Sequence, residues 1–198
     1  MKIWESKEKR VVLITWVSAS WKTCLQEELI KLWWARPNNY TTRKPRGETP
    51  QSVDSDWDFD SREFWEYIFL NKQNFLKKIW NWDFLENVKY WDHFYGVSKF
   101  MPANNNICII VDPSGRAQAT AELRKRGYNV TTVYIEINEE TQKQRLLDRG
   151  DEQAEIWKRA FDFQWFVPTS KCIRLSWLED SNKLADVLCR IVNKKNNE

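Results

Sequence analysis

A chain of 198 residues is long enough for one globular domain with a substantial core. Its 31 basic and 28 acidic side chains leave a formal net charge of only +3, too small to argue for a nucleic-acid partner, although local arginine clusters can still bind phosphates. No stretch approaches the roughly 18 consecutive apolar residues of a membrane span and the N-terminus holds no apolar signal core, so the expectation is a cytoplasmic protein with no membrane partner.

The predicted elements alternate. Val11 to Thr15 is an uninterrupted β-branched and apolar run, the form of a central parallel strand covered on both faces. A helix is predicted from Lys22 to Leu32. Residues 35–97 then break the pattern, being polar, aromatic and rich in turn residues, and read as an inserted substrate-binding subdomain. Ile107 to Val111 is a second buried strand ending at Asp112, and a helix follows from Ala117 to Arg126, stopped by Gly127. Asn129 to Ile137 is a third strand, Glu139 to Arg149 a helix stopped by Gly150, and Cys172 to Leu175 a shorter strand. From Ser181 a last helix sets Leu184, Val187, Leu188 and Ile191 on one face, with Asp180 or Ser181 as its N-cap. Strands alternating with helices imply an α/β fold around a central parallel sheet. Cys24, Cys108, Cys172 and Cys189 stand far apart in apolar contexts beside a single histidine, which predicts buried thiols rather than a disulfide frame or a zinc site.

Between the first strand and the first helix lies Trp16-Val17-Ser18-Ala19-Ser20-Trp21-Lys22-Thr23. With glycine in place of Trp16 and Trp21 it becomes G-V-S-A-S-G-K-T, a complete Walker A loop. In such a loop backbone N–H groups wrap the phosphates, Lys22 reaches the β/γ oxygens and the Thr23 hydroxyl ligates magnesium. As written the loop is spoiled, because an indole at either position crowds the volume the phosphates need. Composition extends the observation: there are 13 tryptophans and only 5 glycines, where average usage gives roughly 14 glycines. A gene in which UGA encodes glycine, translated with UGA as tryptophan, accounts for both facts. A genuinely tryptophan-rich, degenerate protein is the alternative.

Two further segments carry chemistry. Tyr40-Thr41-Thr42-Arg43-Lys44-Pro45-Arg46-Gly47-Glu48 sets two arginines across a proline, and guanidinium forks bind phosphate in bidentate fashion. Asp83-Phe84-Leu85-Glu86 precedes Trp91-Asp92-His93-Phe94-Tyr95-Gly96. From about residue 10 to 165, in order, the chain resembles the guanylate kinases, which carry a phosphate loop, T-T-R-x-P-R-x-G-E, F-L-E, Y-G-T/S, an acidic residue ending a buried strand, and an arginine-containing lid. Trp82 and Trp91 also fall on glycines of that family.

The resemblance implies a P-loop NTPase-type three-layer fold with an inserted nucleotide-monophosphate-binding subdomain and a helical lid. Its core comprises residues 1–34, 98–137 and 166–198, its acceptor subdomain 35–97 and its lid 138–165. It implies transfer of the γ-phosphoryl group of ATP to GMP or dGMP with magnesium, by a monomer or homodimer acting on small-molecule nucleotides. Arg43, Arg46 and Tyr95 would hold the acceptor phosphate. Glu86 would read guanine, since a carboxylate is acceptor-only and matches the N1–H and exocyclic amine. Asp112 would serve the base or a magnesium-bound water, or simply cap the helix that follows. Arg145, Arg149 and Arg159 would close over the transferring group, unless they are salt-bridged helix surface. His93 receives no role.

Several positions depart from the family pattern: Asn39 replaces a small hydroxyl residue that helps read the base, Val97 the hydroxyl residue after Tyr-Gly, Trp57 a phosphate-binding tyrosine, and Ile110 a second acidic residue. Two alternatives therefore stand beside the kinase. One is a catalytically inactive binding module with a surviving acceptor pocket, and the other a kinase for another nucleotide or a sugar phosphate.

Overall fold

The computed structural model describes residues 8–16, 22–44, 59–60, 67–148, 150, 156, 172–176 and 181–194. Nine strands are described: β1 (Arg10–Trp16), β2 (Asn39–Thr41), β3 (Phe59–Asp60), β4 (Tyr67–Phe69), β5 (Phe84–Tyr90), β6 (His93–Ser98), β7 (Asn106–Ile110), β8 (Asn129–Glu136) and β9 (Ile173–Ser176). The helices are α1 (Lys22–Lys31), α2 (Lys72–Trp80), α3 (Arg116–Lys125), α4 (Glu139–Asp148) and α5 (Ser181–Lys194).

The uninterrupted apolar runs form a parallel sheet in the order β7-β1-β8-β9. Its two faces are covered by different helices, which is why its strands lack alternation. On one face Val12, Ile14, Cys108, Ile110, Val133 and Ile135 pack with Leu25 and Leu29 of α1 and with Leu184, Ala185, Leu188 and Val192 of α5. On the other, Val11, Leu13, Ile107 and Ile109 meet Ala119 and Leu123 of α3 together with Leu85 and Val97. This is the α/β architecture with a parallel sheet that the alternation predicted. No described helix is long and apolar enough to cross a membrane.

Two expectations need correction. Val187 is 41% exposed, because the buried stripe of α5 runs through Leu184, Ala185, Leu188 and Val192 instead. Among the thiols only Cys108 is buried; Cys24, Cys172 and Cys189 are half-buried, and none of the four is in a disulfide.

Residues 39–98 hold a second, mixed sheet in the order β3-β4-β2-β6-β5. Helix α2 packs on it through Phe75, whose ring stacks on Phe84 at 4.7 Å and lies 5.6 Å from Phe94. Gly96 permits that stack, since an added Cβ would stand 2.8 Å from the Phe84 ring. Leu85 and Val97 join the second sheet to the core of the first.

Three tryptophans adopt left-handed backbone, where L side chains are disfavoured: Trp33 (φ 68°), Trp82 (φ 56°) and Trp91 (φ 53°). The first two follow helix ends in one shared motif. At the end of α1, Trp33 N–H donates to Ile30 O and Trp34 N–H to Leu29 O; at the end of α2, Trp82 N–H donates to Ile79 O and Asp83 N–H to Lys78 O. These are Schellman pairs, whose left-handed residue is usually glycine. Helix α3 ends identically, with Gly127 N–H on Arg124 O and Tyr128 N–H on Leu123 O, and there the left-handed residue is Gly127, φ 80°. Trp91 is the first of two loop residues joining β5 to β6, and its φ is positive while that of Asp92 is not. A positive φ at the first position of a two-residue hairpin loop calls for glycine. Trp82 and Trp91 were set on glycines by the motif pattern; Trp33 was not.

Candidate active site

Three strands converge on one register position. Val97 of β6 pairs with Asn39 of β2 on one side and with Glu86 of β5 on the other. The register of β5 shifts between Phe84 and Glu86, so Leu85 is the extra residue of a bulge. The bulge sends Leu85 into the core and leaves Glu86 beside it, only 2% exposed. Asn39 is 4% exposed. Glu86 Oε2 and Asn39 Oδ1 are both buried without a hydrogen-bond partner. Buried polar atoms are nearly always paired, so two orphan acceptors flanking one residue point to a ligand that brings N–H groups.

The electrostatics of Glu86 follow from its seat. Burial pushes its pKa up to about 8, the charge of Asp112 adds to the rise, and the Asp112 backbone N–H opposes it by favouring the carboxylate. Asp112 lies two residues beyond β7, at the carboxyl end where ligands bind in parallel sheets. Its Oδ1 accepts from the Ser114 N–H at 2.8 Å and the Ser114 hydroxyl at 2.6 Å, while its carbonyl accepts from the N–H groups of Gly115 and Arg116. Asp112 thus shapes the entry to α3 and stands beside Glu86. Ile110 is 5% exposed in the core facing α1 and α5, so an apolar side chain at that position fills the core.

Next along the same rows, Tyr95 pairs with Thr41 and with Val88. The Tyr95 ring meets Tyr67 and Tyr90 edge-on, at 6.2 and 6.4 Å. Thr41 is fully buried, and its hydroxyl accepts from the Arg43 N–H at 3.1 Å. Thr42 exchanges bonds with Phe94: its hydroxyl accepts from Phe94 N–H at 2.9 Å, and its own N–H donates to Phe94 O. These bonds fix the strand end that carries Arg43, whose guanidinium lies 5.9 Å from the Phe69 ring centre and donates to Lys44 O at 3.2 Å. The motif pattern gives Thr41 and Thr42 no role. It gives none to Gly115 either, whose Cα lies so close to the Glu86 carboxylate that an added Cβ would overlap Oε2 and stand 2.8 Å from Cδ.

Lys22 and Thr23 open α1 immediately after the loop, both half-buried. Arg145 of α4 is half-buried, and burial lowers its pKa while the field of Cys24 raises it. Cys24 is in the first turn of α1, so Arg145 stands by the helix that Lys22 and Thr23 begin. On α4 Glu139 pairs with Lys143 at 2.7 Å, and Asp148 accepts from Gln144 at 2.7 Å. Val17, Ser18, Ala19, Ser20, Trp21, Arg46, Trp57, Arg149 and Arg159 lie outside the described residues, as does the side chain of Trp16. No group of three acidic, histidine or cysteine side chains suited to a metal occurs among the described residues.

A guanylate kinase family model matches residues 35–163. The match begins after the loop that contains Trp16 and Trp21. A guanylate kinase from Chlamydia felis is 30% identical over 118 residues, 57% of this chain and 50% of that protein. One from Onion yellows phytoplasma is 34% identical over 126 residues, 60% of this chain and 52% of that protein. For one from Bacteroides fragilis the figures are 29% over 157 residues, 75% and 70%. The chain spans about half the length of the first two. The crystal structure of guanylate kinase from Anaplasma phagocytophilum superposes with a TM-score of 0.58 at 16% identity, covering 95% of this chain and 86% of that one. At that identity the likeness speaks to the fold.

Proposed function

This chain belongs to the guanylate kinase family, and from that premise we propose that it transfers the γ-phosphoryl group of ATP to GMP or dGMP. The observation that carries the substrate is the pair of orphan acceptors on either side of Val97. Leaving a buried acceptor unpaired costs about 1–3 kcal/mol, a penalty removed by a base with N–H groups at its edge. Guanine offers N1–H and an exocyclic amine together, which suit an ionised Glu86; adenine has no such pair of donors. The free protein holds Glu86 protonated near neutral pH, so guanine binding is accompanied by loss of that proton.

Arg43, Arg46 and Tyr95 then take the acceptor phosphate. In the transfer an oxygen of that phosphate attacks the γ-phosphorus of ATP while the bond to the β–γ bridging oxygen breaks, and ADP leaves with that electron pair. Such a reaction asks for alignment and neutralised charge rather than covalent help. Lys22 and the loop amides hold the ATP phosphates, and Arg145, Arg149 and Arg159 balance charge on the moving group.

Magnesium fits this donor set. Thr23 presents one half-buried hydroxyl at the start of α1, and such an ion usually takes one or two protein oxygens and completes its shell with phosphate oxygens and water. When bound, it neutralises phosphate charge. The remaining partners are the nucleotides, used by a monomer or homodimer in the cytoplasm.

A binding module without catalysis is the second reading, favoured by Trp16 and Trp21 standing in the loop. Calorimetry with GMP and with ATP-magnesium, on this chain and on its Trp16→Gly/Trp21→Gly variant, tests both. Tight GMP binding by both chains with phosphoryl transfer by the variant supports the kinase. GMP binding without transfer by the variant supports the module, and absence of GMP binding from both rejects the guanine pocket.

A further inference from the structure

We propose that Gly115 is a positioning residue for base recognition: lacking a side chain, it lets the Glu86 carboxylate seat against the start of α3 with an oxygen free for the base. The inference rests on the guanine reading of the pocket. Gly115 is not explained by backbone conformation, since its φ of −80° and ψ of −15° are helical and open to any residue. It stands at the N-cap of α3, but with helical dihedrals rather than the extended backbone of a capping residue, so that place does not call for glycine. Gly127 and Gly150 provide the contrast. Both have left-handed φ, and an added Cβ at either meets nothing within 4 Å. Gly115 is the reverse case, with ordinary φ and no room.

The carboxylate has no retreat. Glu86 is 2% exposed, its strand is held in register against β6 immediately after the bulge, and its neighbour Leu85 is locked in the core. A methyl group at residue 115 would overlap Oε2, stand 2.8 Å from Cδ and 3.4 Å from Cγ. It would therefore displace the carboxylate end of the Glu86 side chain, whose burial leaves it little room to turn aside. The backbone bonds of the turn, Gly115 N–H to Asp112 O at 3.1 Å and Ala119 N–H to Gly115 O at 3.0 Å, are compatible with alanine.

The test is calorimetric titration of the full chain and its Gly115→Ala, Glu86→Asp and doubly substituted forms with GMP and with ribose 5-phosphate, which carries the phosphate without the base. Gly115→Ala is expected to weaken GMP binding about tenfold to a hundredfold, the value of one hydrogen bond to a charged group, and to leave ribose 5-phosphate unchanged. In the Glu86→Asp background, where the carboxylate is one methylene shorter, the same change should cost less, since the two positions are coupled. Should Gly115→Ala fail to fold, recovery of folding in the double variant places the clash at Glu86, and continued failure overturns the proposal. Unchanged GMP affinity, an equal loss for ribose 5-phosphate, or an undiminished penalty in the Glu86→Asp background also overturns it. If the parent chain binds ribose 5-phosphate but gains nothing from the base of GMP, the guanine reading itself is wrong and the role of Gly115 goes with it.

Discussion

Replacing Trp33 and Trp82 by glycine should stabilise the folded chain. Both are left-handed residues in Schellman motifs, at φ 68° and 56°, and both indoles are almost wholly in solvent, 81% and 83% exposed. Left-handed backbone costs an L-residue about 1–2 kcal/mol, and glycine gives back about 0.5–1 kcal/mol through its larger unfolded-state entropy. With little burial to lose, each substitution should therefore gain about 0.5–1 kcal/mol. The two sites cap different helices and should add, giving about 1–2 kcal/mol together. Trp91 should gain less, because it is 45% exposed and its ring meets Tyr90 at 6.3 Å. Gly127→Ala is the internal control and should lose about 1 kcal/mol at the equivalent position of α3. Urea unfolding followed by circular dichroism reads these changes as shifts in midpoint at constant slope. Midpoints of Trp33→Gly and Trp82→Gly at or below that of the parent, with Gly127→Ala destabilised as expected, would refute the assignment of glycine roles to these tryptophans.

Four other outcomes are open to measurement. Glu86→Gln should weaken GMP binding about a hundredfold, since an amide sets N–H against N–H; unchanged affinity moves base reading to Asn39 or Asp112. GMP affinity should rise with pH until about 8, where Glu86 ionises unaided, and titrations across pH should lose that step in Glu86→Gln. The sign for stability is opposite: the raised pKa stabilises the free protein below the unfolded value of about 4.5 and that contribution is lost as pH climbs to about 8, so the parent should lose stability relative to Glu86→Gln over this interval. In the loop-restored Trp16→Gly/Trp21→Gly protein, Arg145→Ala should lower turnover by about two orders of magnitude with GMP affinity nearly unchanged; a proportionate loss of binding instead makes Arg145 an acceptor ligand.

The parallel sheet was legible because covering both faces of a strand leaves an apolar run with no polar interruption, as in Val11 to Thr15 and Ile107 to Val111. The second sheet was legible only as a break in that pattern. β2 and β4 are three residues long, too short to show a period. Its clearest punctuation was hidden too, since Trp82 stands where α2 stops and Trp91 where the β5–β6 hairpin turns. Glu86 was picked out through motif resemblance, whereas its burial could not be anticipated, because a lone carboxylate in a half-buried strand ordinarily faces water. Val187 misled by a similar route: helical spacing admits a neighbouring stripe, and Ala185 fills the core instead. Gly115 gave no signal, since a glycine with helical dihedrals looks like any helix start and its partner lies on another sheet.

Trp34 differs from its neighbour in every respect. It is 7% exposed within the core of the parallel sheet, in the cluster against which Cys189 packs, whereas Trp33, Trp80 and Trp82 are each more than 80% exposed. The two kinds of indole therefore emit differently. Water-facing rings fluoresce to the red, while a ring enclosed by aliphatic side chains emits to the blue and is open to quenching by an adjacent sulfur. A chain carrying glycine at residues 33 and 82 would shed part of the red component and keep the core emitter, so light from Trp34 would report the packing of α1 against α5 without a label.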